Sequence, residues 1–457
     1  MTIRIGRDGV LALLLVALSL AWSAVGISRG TELSRYDEWT YIDYARKVAA
    51  GHVPVPGESL ASESLEDWSC RGMTGTIREV AVPSCQQARQ ALASADGADP
   101  QRWPLAGENY NAFHPPLYFL AAGHGGKLVA AVSGSDFVTG ARWISALFVA
   151  GGVAAVFLAI RAWRASRTAA FGAALLVLAT PAVAAAATIV HNDAITPMAG
   201  AAAVWLGARI FVQRRFGWVV PAAAMALFAS MRVMSTAGLL TVLVVAAVAA
   251  ATPRLAGKAG LTGKDRRPLL VMVAAGGAAL LTTQAAWSLW QAARTPDGYV
   301  PAILGLSTRR ASWGRTWDIV ASLGDAYGLT DPATDWYMQP ALRSDLTFYW
   351  SQALYWFYLV VPLLALALLW RTASSRTLAV TSLAGPAVVG GAVQFRELVT
   401  AGRYFRSVSG RYAMSVVPLV ACAAALVCDR RPWMRWSLLA FATVGYLAVF
   451  SGPFLAV

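Results

Sequence analysis

Apolar runs of about 20 residues recur from one end of this sequence to the other, and each is long enough to cross the roughly 30 Å hydrocarbon core of a bilayer as an α-helix. A chain built this way has to satisfy its backbone hydrogen bonds inside each segment, because lipid offers no partners. Composition agrees, with 57% hydrophobic and 14% charged residues against about 25% charged in soluble domains. The expectation is an all-α, polytopic membrane protein forming a single integral domain over residues 1–457. Disordered chains, collagen-like repeats and secreted disulfide scaffolds are excluded together. The net charge of +14 would suggest nucleic acid in a soluble protein. In a membrane protein it asks instead which side the positive charge faces, and no nucleic-acid partner is expected.

Two stretches outside the apolar runs are long, about 29–138 and about 293–345. The first follows an apolar segment at about 10–28 whose leading flank carries Arg4 and Arg7, which places the N-terminus in the cytosol. A cleaved signal peptide is the rival reading. The run is longer than the usual h-region, and no convincing small-x-small cleavage site follows. The segment from Pro115 to about Ser133 is apolar but interrupted by His124, Gly125, Gly126 and Lys127. As a span it would put Arg161, Arg164 and Arg167 outside and invert every later loop. As an interfacial amphipathic helix it leaves spans at about 139–160, 168–190, 194–212, 217–231, 236–252, 268–291, 346–370, 377–394, 412–428 and 436–455, about eleven with the first. The cytosolic side then carries eighteen basic residues and three acids, and the outside the remaining twenty basic and twenty-one acidic. That asymmetry fixes the topology: cytoplasmic N-terminus, both long loops extracytoplasmic, interfacial helices in the first.

Cys70 and Cys85 share the first outer loop, where oxidation is permitted, and are expected to form a disulfide. Cys422 and Cys428 belong to one apolar span and read as small core residues. No metal-binding spacing occurs among four Cys and four His, so a divalent cation is compatible with the chain but not required.

Five polar elements fall on the outer face. Asp37 and Glu38 open a stretch in which Tyr41, Tyr44 and Val48 recur at helical spacing. The two acids suit general-base work, or are helix N-terminal acids favoured by the macrodipole. His114 precedes Pro115 and Pro116, where the chain re-enters the interface, as a phosphate or sugar contact or as a helix cap. His191, Asn192 and Asp193 fill a very short outer loop. An acid there is costly against lipid, so it faces a cavity or a partner, unless the loop is a plain N-cap. Arg232 stands between two apolar segments, as a phosphate ligand or a snorkelling side chain. Arg396, Arg403, Arg406 and Arg411 crowd one outer run against the positive-inside trend. Phosphate recognition explains them, since the guanidinium fork matches phosphate oxygens; anionic headgroups are the alternative. The loop at 293–345 adds Arg309, Arg310, Trp313, Arg315, Trp317, Trp336 and Tyr337, either to cover a cavity and stack on sugars or to anchor at the interface.

The order of these pieces resembles the GT-C superfamily of polytopic glycosyltransferases, in the style of the protein O-mannosyltransferase and lipid A aminoarabinose transferase group and of related bacterial membrane proteins of unknown function. The resemblance is carried by Asp37-Glu38 after the first span, Pro115-Pro116-Leu117-Tyr118, His191-Asn192-Asp193, and Gly410-Arg411-Tyr412 opening a late span. It runs from about residue 10 to about 428, in motifs that are each short. It implies a transferase of the bacterial plasma membrane that takes a sugar from a polyprenyl-phosphate donor and passes it to an extracytoplasmic glycan, lipid or protein. It also implies that Asp37 is the base, with Glu38 as helper or acceptor ligand, and that Asp193 is the second acid, beside His191, Asn192 and Tyr41. Several relatives have Lys or Gln where this chain has His114.

The chemistry is consistent with those roles. A sugar phosphate leaves readily, so the enzyme needs a base for the incoming hydroxyl and positive charge where the phosphate gains its second negative charge. Arg232, Arg403, Arg406, Arg411 and His114 are the candidates for that charge. A single displacement inverts the anomeric centre. The competing readings are a polymerase or ligase of lipid-linked glycans, a polyprenyl-lipid transporter or flippase, and a non-catalytic sensor. A transporter would place ionisable groups at the bilayer midplane and show internal repeats, whereas here the acids keep to one face. The Ala-, Arg- and Val-rich usage hints at a GC-rich bacterium with an arabinan or mannan envelope, hence an arabinosyl- or mannosyltransferase.

Overall fold

The computed structural model describes residues 6–72, 76–77, 80–94, 99–304, 307–328 and 338–455; Arg4, Trp336 and Tyr337 lie outside them. The first span is α1 (Arg7–Arg29). The first long loop then folds into α2 (Glu38–Ala49), α3 (Ser62–Cys70), the two-stranded β1 (Thr76–Ile77) and β2 (Val80–Ala81), α4 (Cys85–Ala93) and α5 (Leu117–Ser133). The expected disulfide is present, joining α3 to α4 through Cys70 and Cys85. Trp39 stacks on Trp68 with ring centroids 4.8 Å apart, and Asp67 binds both Arg46 and Arg71. This loop is a folded cap with its own buried residues.

At seventeen residues, α5 is about 25 Å long, short of the bilayer core. It packs on α2 through Gly123, where a Cβ would stand 2.3 Å from the Ala45 carbonyl oxygen. That close approach explains the run of glycines that weakens its hydropathy.

The remaining helices are α6 (Phe137–Ala162), α7 (Arg167–Leu178), α8 (Pro181–Ala186), α9 (Thr196–Phe211), α10 (Val219–Met231), α11 (Ala237–Ala251), α12 (Pro253–Lys258) and α13 (Gly263–Ala292). Then come β3 (Thr308–Arg310), α14 (Thr316–Asp325), α15 (Asp345–Leu368), α16 (Ala373–Ala401), β4 (Arg403–Phe405), α17 (Val417–Cys428) and α18 (Pro432–Leu455). Strands β3 and β4 pair antiparallel, tying the second long loop to the late arginine run.

Among the described residues nine helices are long and apolar enough to cross a membrane. Two more apolar helices, α7 and α10, stand where the other two spans were expected but run only 12 and 13 residues. The run at 168–190 is therefore not one continuous helix. Pro181 has no N–H to donate and forces Thr180 out of the helical region, to φ −69° and ψ 120°, so the helix restarts as α8. Likewise α10 stops where Arg232 turns extended, at φ −165° and ψ 120°.

Contacts between loops respect the two sides read from charge. Asp8 meets Arg161 and Arg167, Asp429 accepts from the Ser166 amide, and Arg376 donates to the Lys258 carbonyl. These residues sit in or beside the loops read as cytosolic. On the other side, Gln291 donates to the Ala112 carbonyl at 2.8 Å, and Glu108 accepts from Tyr299 and from the Ala302 amide.

Candidate active site

Three spans begin not as α-helix but as tighter 3₁₀ helix: Asn192–Ile195 before α9, Val233–Thr236 before α11, and Gly410–Val416 before α17. These are central helices. Over their most apolar stretches, spans 192–211, 233–251 and 410–428 are 78%, 67% and 83% buried, against 17% for the peripheral α13. Their leading turns pack together at one end of the bundle. A Cβ on Gly238 would stand 2.4 Å from the Ser415 carbonyl oxygen, and one on Gly200 would stand 2.8 Å from the same atom, so only glycine lets the three backbones converge. Irregular backbone is tolerated in such places when it is buried in protein or lines a cavity.

The convergence gathers charge. Arg232, at the end of α10, donates to the Asp193 carboxylate and to Asn192 Oδ1, the latter at 3.0 Å. Arg411 Nη1 lies 3.6 Å from the other Asp193 oxygen, and its guanidinium sits 3.3 Å above the ring of Tyr36. One buried carboxylate thus holds two buried guanidiniums, leaving a net positive centre at the start of three helices, where backbone N–H groups already favour an anion. Beside it runs a cleft lined by Tyr36, His191, Asp193 and Arg411 on its polar side. Its apolar wall is Ala182, Ala185, Ala186, Ile189 and Met414, supplied largely by the restarted half of the broken span.

Asp37 enters from the first loop. It caps α2 in the left-handed region, at φ 59° and ψ 6°. For a non-glycine residue that conformation is uncommon, though Asp tolerates it better than most. Tyr110 donates to its Oδ1 at 2.6 Å. Burial pushes the carboxyl above the usual range, while hydrogen bonds from Tyr110 and Asn111 and the charge of Arg232 pull the other way. Its neighbour Tyr36 lines the cleft beside Asp193 and Arg411, so the turn that bears Asp37 stands at the rim of that cleft.

Glu38 is not part of the reacting group. It is fully buried and paired with Arg142, with Nε to Oε1 at 2.8 Å and Nη2 to Oε2 at 3.0 Å. The amides of Ser34 and Val190 fill its remaining acceptor positions at 2.7 and 2.9 Å. Arg142 also donates to the carbonyls of Gly30 and Glu32. The pair joins the end of α1, the turn holding Asp37, α6, and the backbone just before His191; it fixes the site and cannot reach a substrate. Sequence reasoning passed over Arg142, yet an arginine six positions into an apolar helix is a signal, because an unpaired charge there is prohibitive.

His114 and His191 flank Tyr41. The Tyr41 hydroxyl is 3.3 Å from His114 Nε2, and its ring meets the His191 ring edge-on at 4.3 Å. Burial first, and then the charge of Arg232, hold both imidazoles well below their ordinary pKa. They are neutral near pH 7, so His114 does not supply the positive charge expected of it. Arg403 and Arg406 are also placed elsewhere. Arg403 is spent on Thr308 across the strand pair, at 2.8 and 2.9 Å, and Arg406 is exposed. Neither pairs with Asp37 or Asp193. Trp313 and Trp317 are 96% and 76% exposed; they face outward, as an interfacial anchor does, and do not line the cleft. Among the described residues no group of three His, Cys, Asp or Glu is placed to hold a metal ion, and the Asp193 oxygens are already turned toward guanidiniums.

No protein-family profile matches the chain, and no curated protein does. Among solved structures it is similar to ArnT from Cupriavidus metallidurans bound to undecaprenyl phosphate, at 15% identity and a TM-score of 0.53, over 99% of this chain and 77% of that one. The apo state of the same enzyme gives 15% identity and 0.52, over 97% and 75%. A more distant likeness is to the archaeal oligosaccharyltransferase AglB from Archaeoglobus fulgidus, at 12% identity and 0.46, over 98% of this chain and 55% of that one. The protein is a multi-pass, all-α membrane protein with the GT-C fold.

Proposed function

We propose that this protein is a membrane glycosyltransferase that moves a sugar from a polyprenyl-phosphate donor to an acceptor hydroxyl at the extracytoplasmic surface of a bacterial plasma membrane. The whole chain acts as one domain capped by its two long loops. The observation that carries this reading is the meeting of Arg232 and Arg411 on Asp193 beside a cleft lined by Tyr36, the neighbour of Asp37.

Asp37 takes the proton of the acceptor hydroxyl as its oxygen attacks the anomeric carbon. The bond from that carbon to the phosphate oxygen breaks, and the polyprenyl phosphate departs with the electron pair and a second negative charge. Arg232, Arg411 and the N–H groups of the three converging turns stabilise that charge as it develops. One displacement inverts the anomeric centre. A carboxyl with a raised pKa is a stronger base when ionised, which suits proton removal from an alcohol. The alanine wall beside Arg411 suits an isoprenoid chain adjoining its phosphate, and ArnT, of the same fold, was solved with undecaprenyl phosphate. Polymerase or ligase chemistry on lipid-linked glycans would use the same charges, and the acceptor distinguishes the two.

Purified protein incubated with a panel of polyprenyl-phosphate pentoses and hexoses and an envelope extract as acceptor should release lipid phosphate from at least one donor. Arg411→Ala should weaken donor binding. No release from any member of the panel contradicts the reading.

A further inference from the structure

We propose that His114, His191 and Asn192 form a clamp of neutral hydrogen-bond donors that reads the hydroxyls of the transferred sugar, an inference that rests on the glycosyl-transfer reading above. All three are at least nine-tenths buried. Each has one ring or amide nitrogen with no hydrogen-bond partner in the protein: His114 Nδ1, His191 Nε2 and Asn192 Nδ2. Buried polar groups are nearly always satisfied, and three exceptions in one site call for a ligand that satisfies them.

The surrounding network fits all three orphan atoms as donors. The Asp193 amide donates to His191 Nδ1 at 3.0 Å, so in a neutral imidazole the hydrogen is on Nε2. Arg232 donates to Asn192 Oδ1 at 3.0 Å, which fixes the amide orientation and leaves its NH₂ group outstanding. The Tyr41 hydroxyl lies 3.3 Å from His114 Nε2; the clamp takes it as the donor there, which puts the His114 hydrogen on Nδ1. Stacking of Tyr41 on Phe119, at 5.6 Å, holds the ring between the two imidazoles. His191 lines the cleft beside Arg411.

Neutral donors add no charge for a phosphate, which has two guanidiniums to meet it. They suit ligand oxygens whose positions differ from one sugar to the next, and a site built to bond a hydroxyl strongly rejects the analogue lacking it. The clamp therefore selects which sugar is accepted.

The test uses the full chain in nanodiscs with Asp37→Asn, so that the donor is held and not consumed. Affinities are measured for undecaprenyl phosphate and for polyprenyl-phosphate pentoses and hexoses. At least one sugar should raise affinity over the bare lipid phosphate by about tenfold or more. His114→Phe and His191→Phe should each reduce that increment and leave undecaprenyl phosphate affinity unchanged. His114→Asn places an N–H near the position of Nδ1, and His191→Gln near that of Nε2. These two should recover the increment, whereas His114→Gln and His191→Asn should not. An increment that survives both Phe variants overturns the clamp. So does an equal loss of bare lipid-phosphate affinity, which would make the imidazoles phosphate ligands, and so does the absence of any sugar increment in a parent that binds lipid phosphate. Failure of the parent to bind undecaprenyl phosphate would instead defeat the glycosyltransferase reading, and the clamp with it.

Discussion

Adjacent carboxylates at positions 37 and 38 have opposite fates, and the difference lies in what surrounds each. Glu38 is met by Arg142 and two backbone amides, while Asp37 keeps a polar cluster of Tyr110, Asn111 and a more distant Arg232. Two predictions follow from that contrast. Asp37→Asn should cut sugar transfer by roughly 10²–10⁴-fold, the usual contribution of a general base, without lowering stability. Because the Asp37 carboxyl is raised in the folded protein, its stabilising effect is full below its unfolded pKa and lost as pH rises through the folded value. Above the unfolded pKa the raised carboxyl is a net cost, which Asn removes while still accepting from Tyr110. Thermal unfolding of the variant at pH 7 checks this, and the acid limb of the pH–rate profile should lie above the ordinary carboxylate value of about 3.9. Removing one partner of the buried ion pair, as in Arg142→Met, should cost about 3–5 kcal/mol, read as a large drop in unfolding temperature. At this scale the sequence offered two adjacent acids, but not which of them is locked in a buried ion pair. The discriminating partner is 104 positions away, on a helix that reads as purely apolar.

At the level of elements, the site depends on three helices that start late. The 3₁₀ turns at 192–195, 233–236 and 410–416 set polar side chains at the tip of an apolar bundle, and glycines 200 and 238 let them meet. Gly238→Ala should displace the Ser415 carbonyl and with it the turn bearing Arg411. Overpacking of this kind costs about 1–3 kcal/mol, and donor affinity should fall even though no ligand atom is touched; binding of undecaprenyl phosphate measures it. Apolar runs announced a helix at each expected span, although among the described residues only nine are long and apolar enough to cross a membrane. The break at Thr180–Pro181 was readable from proline alone, yet the hydropathy of 168–190 masked it. The separation of Arg403 and Arg406 from the site was not readable. It follows from the pairing of β3 with β4, which joins segments some 95 positions apart.

Across the whole molecule, charge placement organises two faces. Basic loops with few acids gather on one, and a folded cap with mixed charge covers the other. The positive-inside rule predicts that the candidate site faces outward. A reporter fused near Arg164 should read cytosolic and one near Asp193 extracytoplasmic. The reverse result would mean that α5 crosses the bilayer. Fold class was the most legible feature because bilayer physics imposes it on every segment independently. The second long loop was the least legible, since aromatic and basic residues serve a cavity lid and an interfacial anchor equally well. Only the outward exposure of Trp313 and Trp317 separates the two.

An anionic base and a cationic phosphate site sharing one pocket have separable tasks, which donor-lipid affinity and the rate of lipid-phosphate release distinguish when Asp37→Asn and Arg411→Ala are prepared side by side. Asp37→Asn is expected to bind the donor as the parent does and release lipid phosphate at least 10²-fold more slowly, while Arg411→Ala loses affinity. Release by Asp37→Asn at the parent's rate would contradict the account.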